Sequence, residues 1–148
     1  MSDKYEPIRL RNQLCFPLYL CAKEVTRRYA PFLDELDLTY TQYVVMMYLW
    51  EQQKCTVKEM GEALLLDPST LTPLLKKLES KGYITRTRSE TDERSLNITL
   101  TETGDALKDK ALKVPEQMKC CIGLTREEAT QLGQLIMKIL TNVENSNK

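Results

Sequence analysis

Apolar positions recur with two periods along the chain. From about residue 9 to residue 30, Leu14, Leu18, Ala22, Val25 and Tyr29 return every third or fourth position, which predicts a helix with one apolar stripe. Pro17 interrupts that pattern. A proline forfeits no hydrogen bond only in a first helical turn, so either the helix starts near Asn12 or Gln13, or it is kinked at Pro17. Pro31 is read as closing the segment. Thr39-Tyr40-Thr41-Gln42 has the form of a capping box and opens a helix to about Gln53, with Val44, Met47 and Tyr48, and with them Val45, assigned to its inner face. Thr56-Val57-Lys58-Glu59 repeats the device and starts a short helix to about Leu64. Asp67-Pro68 then reads as an N-cap followed by proline in first helical position. That helix runs to Lys81 and stops at Gly82, with Leu71, Leu74, Leu75 and Leu78 as its apolar row. A second register, with Ser69 as the cap and Pro73 in the first turn, fits equally well.

The period changes to two over Ile84–Ser89 and Ser95–Leu100, separated by Glu90-Thr91-Asp92-Glu93-Arg94, which predicts a β-hairpin with a charged tip. Helical spacing resumes at Glu102 and fades near Val114-Pro115. A third capping box, Thr125-Arg126-Glu127-Glu128, opens a last helix carrying Leu132, Leu135, Ile136, Ile139, Leu140 and Val143; the tail Asn145–Lys148 is expected to fray. The predicted fold is mainly α with a small β-hairpin wing. A short helix, a tight turn, a second helix and a charged hairpin follow one another in the order of a winged helix-turn-helix. Residues 39–100 would form that core within a single chain of 148 residues, and the helices of 1–38 and 101–148 would supply a dimerisation region.

Composition narrows the chemistry. The chain has no histidine, which removes histidine-based acid–base catalysis, Ser–His and Cys–His triads and histidine metal sites. Five glycines without a GxGxxG or P-loop pattern argue against a nucleotide cradle. The five cysteines form no CxxC and fit reduced cytoplasmic thiols. No apolar stretch suggests a signal segment or a membrane span. The reading is a soluble cytoplasmic protein that is not an enzyme, with no cofactor, no metal and no membrane partner.

Lys+Arg and Asp+Glu both number 21, so attraction to nucleic acid must come from a local face. The helix after Asp67 turns Ser69, Thr70, Thr72, Pro73, Lys76, Lys77 and Ser80 away from its leucines. Hydroxyl residues at its start suit base edges, and lysines one turn later suit phosphates. Arg86, Arg88 and Arg94 add charge on the hairpin. Two half-sites one helical turn apart would call for a dimer.

Leu66–Glu79, followed by Asp92-Glu93-Arg94-Ser95 and Leu100-Thr101, resembles the MarR family of regulators. Asn12-Gln13-Leu14-Cys15-Phe16 resembles the organic-hydroperoxide-resistance branch of that family. The chain departs from the branch's usual pattern at Pro17 and at Pro68-Ser69. The resemblance implies a dimeric repressor on a pseudo-palindromic double-stranded operator. It implies that Cys15 senses an organic hydroperoxide or related oxidant, and that Tyr29 and Tyr40 of the partner subunit hold the thiolate with Tyr19 nearby. Ser69, Thr70, Thr72, Lys76 and Lys77 would meet the major groove or its phosphates, and Arg94, oriented by Asp92, would reach the minor groove. The wider family also contains regulators released by phenolic ligands, which gives the alternative reading.

A thiol reacts as its thiolate, and free amides at a helix start favour the anion. Six of the seven tyrosines precede residue 50, which suits a pocket of phenolic donors. The competing role for Cys15 is a small core residue beside Leu14 and Leu18. Once oxidised to a sulfenic acid it would pair with a low-molecular-weight thiol or a second cysteine. Cys120 and Cys121 are placed between the last two helices, where members of the branch that this chain resembles carry a resolving cysteine for the partner subunit, so the resemblance makes them the candidates. Cys21 and Cys55 are assigned to packing, and Trp50 to capping the core.

Overall fold

Side-chain caps set four of the helix starts among the described residues. In the computed structural model, which describes residues 3–147, the Thr39 hydroxyl accepts the Gln42 N–H at 3.3 Å while the Gln42 side chain accepts the Thr39 N–H at 3.0 Å. This box opens α3 (Tyr40–Gln52), after α1 (Cys15–Arg28) and α2 (Ala30–Leu33). The Thr56–Glu59 box opens α4 (Val57–Leu64), and Asp67 precedes α5 (Pro68–Ser80). α6 (Glu102–Ala111), α7 (Lys113–Ile122) and α8 (Arg126–Ser146) follow, the last behind its Thr125–Glu128 box. α8 thus extends into the tail expected to fray, and Lys148 lies outside the described residues.

Several expectations change here. The helix expected from residue 9 begins at Cys15, preceded by two 3-10 turns at Glu6–Ile8 and Leu10–Asn12. Pro17 is the third residue of α1, where no intrahelical amide is needed. Pro31 does not end a helix but sits in the first turn of α2. The Asp67 register is the one adopted, although the Asp67 side chain makes no capping hydrogen bond, and it leaves Pro73 inside α5. The inner face of α3 is Gln42, Tyr43, Val45, Met46 and Leu49; Val44, Met47 and Tyr48 are only half-buried. That helix is apolar nearly all round, so periodicity alone does not choose its inner side.

A strand absent from the sequence reading, β1 (Lys54–Thr56), joins β2 (Ile84–Arg88) and β3 (Leu96–Leu100) in an antiparallel sheet of order β1-β3-β2. Cys55 pairs with Ile98, and both are buried. The described residues group into two compact units, one through Pro115 and one from Glu116 onward. The core of the first unit joins Leu33, Leu36, Val45, Met46, Leu49, Met60, the leucine row of α5, Ile84, Ile98 and Leu107. The core therefore extends beyond residues 39–100, taking in α2 and α6.

α6 reaches that core because Gly104 lacks a side chain. A Cβ there would lie 2.1 Å from the Tyr83 carbonyl oxygen, and the Trp50 indole N–H donates to the Gly104 carbonyl at 2.9 Å. Gly104→Ala is expected to cost roughly 3 kcal/mol, at the upper end of overpacking penalties. Thermal denaturation should show the midpoint falling by roughly 10 °C; an unchanged midpoint would mean that this contact relaxes freely.

Candidate nucleic-acid interface and thiol site

α5 packs Leu71, Leu74, Leu75 and Leu78 inward and leaves Ser69, Thr70, Thr72, Lys76 and Lys77 exposed. The Thr72 hydroxyl donates to the Pro68 carbonyl at 2.9 Å, so toward a base edge it presents lone pairs. α5 ends where Gly82 adopts φ +78°, with the Tyr83 N–H bonded to the Leu78 carbonyl at 3.1 Å. The chain turns there directly into β2. At the wing tip, Asp92 accepts the Arg94 N–H at 3.0 Å, and the Ser89 hydroxyl meets that of Thr91 at 3.0 Å. Asp92 thereby fixes the turn from which Arg94 projects. Lys76, Lys77, Arg88 and Arg94 have no carboxylate partner among the described residues.

Arg86 behaves differently. Its Nη2 pairs with Glu79 at 2.8 Å, its Nε donates to the same carboxylate at 2.9 Å, and its backbone N–H bonds the other oxygen at 3.1 Å. The guanidinium holds the Glu79 carboxyl below the usual range. This pair ties the wing to α5, a positioning role that sequence reasoning did not assign to Glu79. Lys81 anchors the end of α5 elsewhere, to the turn before α3, by pairing with the Asp37 carboxylate at 3.2 Å. Between α4, α5 and the wing lies a groove of about 630 Å³ lined by Val57, Leu66, Leu71 and Leu96 together with Thr72, Arg86 and Arg94.

Cys15 is the first residue of α1 and is exposed. Leu14 and Leu18 are 72% and 38% exposed, so the core role considered for this cysteine has no core around it. The approach to Cys15 is organised by its neighbours in sequence: the Gln13 amide donates to the Pro7 carbonyl at 2.7 Å and the Asn12 amide to the Glu6 carbonyl at 2.7 Å. Tyr29 and Tyr40 come together, ring centroids 4.8 Å apart, with Tyr43 6.0 Å from Tyr29. Burial first, then the neighbouring Tyr40, pushes the Tyr29 phenol above its ordinary range, which keeps it a proton donor. Tyr19 is exposed one turn after Cys15. Fourteen residues separate Cys15 from Tyr29, about 21 Å at 1.5 Å per residue, so a chain's own tyrosine pair stands at the far end of α1 from its thiol.

The other cysteines divide by burial. Cys55 is buried as expected, and burial followed by Glu59 pushes its thiol up to about 11, so it stays protonated. Cys21 is exposed rather than packed, because α1 buries none of its residues. Cys120 and Cys121 lie in the last turn of α7, not between helices, and both are exposed. Pro115, near which the helical spacing fades in the sequence, is the third residue of that helix.

The family model described as transcriptional regulator SarA/Rot matches residues 27–111. The organic hydroperoxide resistance transcriptional regulator of Bacillus subtilis is 47% identical over 144 residues, covering 97% of this chain and 96% of the relative. The chain is a MarR/SarA-type transcriptional regulator. The regulator is also 41% identical to SarZ of Staphylococcus aureus, over 94% of this chain and 95% of that one. AbfR, solved in its reduced state bound to DNA, superposes with a TM-score of 0.84 at 31% identity, over 99% of this chain and 100% of that one. The disulfide-formed state of AbfR gives a TM-score of 0.66 at 33% identity, over 93% and 96%. These are DNA-binding regulators rather than enzymes. The regulator has the winged-helix fold expected from its hairpin and capping boxes, and among its described residues no helix is long and apolar enough to cross a membrane.

Proposed function

We propose that this regulator is a homodimeric, cytoplasmic repressor that binds a pseudo-palindromic operator and releases it when Cys15 is oxidised by an organic hydroperoxide or related oxidant. One observation carries the reading: an exposed thiol at the first residue of α1, on an uncovered apolar stripe, with the Tyr29–Tyr40 pair some 21 Å away at the other end of the same helix. A second copy laid antiparallel along α1 would bring its tyrosines to this thiol. Residues 39–100 then serve as the DNA-binding core, and the helices of 1–38 and 101–148 as the dimerising parts. α1 and α8 both carry apolar rows and neither buries a residue. The name of the Bacillus subtilis relative supports the oxidant class, and the disulfide-formed state of AbfR supports a thiol-based response; the overoxidised AbfR, solved bound to DNA, does not itself support release.

In the proposed reaction the Cys15 thiolate attacks the distal peroxide oxygen. The O–O bond breaks, the sulfur becomes a sulfenic acid, and the alkoxide leaves as an alcohol with a proton from a partner tyrosine or water. A low-molecular-weight thiol, or Cys120 or Cys121, then condenses with the sulfenic acid to give a disulfide and water. Either adduct would replace the hydrogen bonds that the partner's phenols make to the thiolate. α1 shifts, the spacing of the two α5 helices changes, and half-site register is lost. Ser69, Thr70, Thr72, Lys76 and Lys77 are assigned to the major groove and its phosphates, Arg88 and Arg94 to the wing contacts, and Asp92 and Arg86 to holding the wing in place. The apolar groove between α4, α5 and the wing favours a second reading, release by a small aromatic ligand bound there.

Mixed dimers test the shared site. One subunit carries Tyr29→Phe and Tyr40→Phe with Cys15 intact, and the other carries Cys15→Ser with both tyrosines intact. The mixed dimer contains one complete site only if thiol and tyrosines come from different chains. It should release operator on one equivalent of hydroperoxide, while both parent homodimers respond poorly. A mixed dimer as unresponsive as its parents would overturn the arrangement, and release by phenolic compounds in a cysteine-free variant would favour the groove.

A further inference from the structure

Five of the six prolines stand where proline costs a helix nothing. Pro7 lies in a 3-10 turn, and Pro17, Pro31, Pro68 and Pro115 fall within the first three positions of their α-helices. Pro73 alone occupies a helix interior, the position where proline is least favourable because it removes an amide and crowds the preceding turn. It is also exposed, so core packing does not require it. A helix turns about 100° per residue, which gathers Ser69, Pro73, Lys76 and Ser80 within about 60° of one another, directly opposite the leucine row. The most costly residue of α5 therefore sits on the crest that a major groove would receive. Breaking a local rule on a surface without a packing gain points to a contact with something outside the chain.

We infer that Pro73 is a specificity-determining residue whose ring packs on the C5 methyl of a thymine in the operator. The inference rests on the proposed docking of α5 in the major groove. Two further features fit the same base pair. Pro73 has no N–H, so the Ser69 carbonyl lacks its usual donor four residues on. The Thr72 hydroxyl has given its proton to the Pro68 carbonyl. The crest beside the ring is thus rich in acceptors, and the adenine paired with thymine presents an amino donor beside the methyl in that groove.

The test uses the full-length reduced protein and the tightest duplex recovered from a random-sequence library. Each thymine is replaced in turn by deoxyuridine, which removes only the methyl group. Wild type should lose about fourfold in affinity per half-site at one symmetric position, the worth of one buried methyl. Pro73→Ala should bind the unmodified duplex about fourfold more weakly per half-site and show no further loss at that position. The same variant should melt at least about 5 °C higher, because alanine restores the helix. That separates a base contact from a structural role, which would lower the melting point instead. Pro73→Ala retaining the wild-type deoxyuridine penalty at every position would overturn the contact. A library yielding no enriched sequence would overturn the operator reading and the contact with it.

Discussion

Replacing Cys15 with serine is expected to leave the operator affinity of the reduced regulator within about twofold and to remove its response to hydroperoxide, while wild type loses at least about 100-fold, or about 2.7 kcal/mol. The first half follows from exposure: the thiol belongs to no core, and serine keeps its size and can accept the same phenolic hydrogen bonds. The second half follows from chemistry, since a hydroxyl does not reduce a peroxide. Cys55 does not substitute for it, because a buried thiol held protonated is a poor nucleophile. Cys21, Cys120 and Cys121 are exposed, so fluorescence-anisotropy titrations of the serine variant test whether they suffice alone. A variant that still lets go of DNA on oxidation would move the sensor to one of them.

The second large effect is on assembly. α8 carries Leu132, Leu135, Ile139, Leu140 and Val143 along one side, and Leu135 is 60% exposed. A row of this kind left open to water suits the interface of the proposed dimer. Leu135→Glu places a charge in that row at the position where the single chain loses least. Sedimentation should show dimer giving way to monomer at micromolar concentration. Operator affinity should fall at least about 100-fold, because two half-sites held together bind far more tightly than one. A dimer that survives with full affinity would place the interface elsewhere.

Much of the fold was legible because its signals are local. Each capping box needs four residues and an oxygen acceptor, and all three form as read. The leucine row of α5 and the alternation of the wing follow from one-sided burial. The misreadings have physical causes. Pro31 and Pro115 look like breaks in a sequence but sit in first turns, where the missing amide has no partner to lose. A proline at the third position of α7 reads as an end, which hides that helix and leaves Cys120 and Cys121 between helices in the sequence pattern. β1 has three residues with one buried, too short to show alternation. At the site, Arg86 reads as a basic residue available to phosphate, yet Glu79 meets it only because the turn at Gly82 brings β2 back along α5. The apolar rows of α1 and α8 were legible, but nothing in one chain's periodicity distinguishes a row that packs at home from one awaiting a partner.

The central claim is that one thiol controls DNA binding. The most direct measurement is affinity for the DNA upstream of the regulator's own gene, taken with reduced protein, after one equivalent of an organic hydroperoxide, and again after dithiothreitol. The account predicts tight binding, collapse on oxidation and full recovery on reduction. Tight binding indifferent to the oxidant would contradict it.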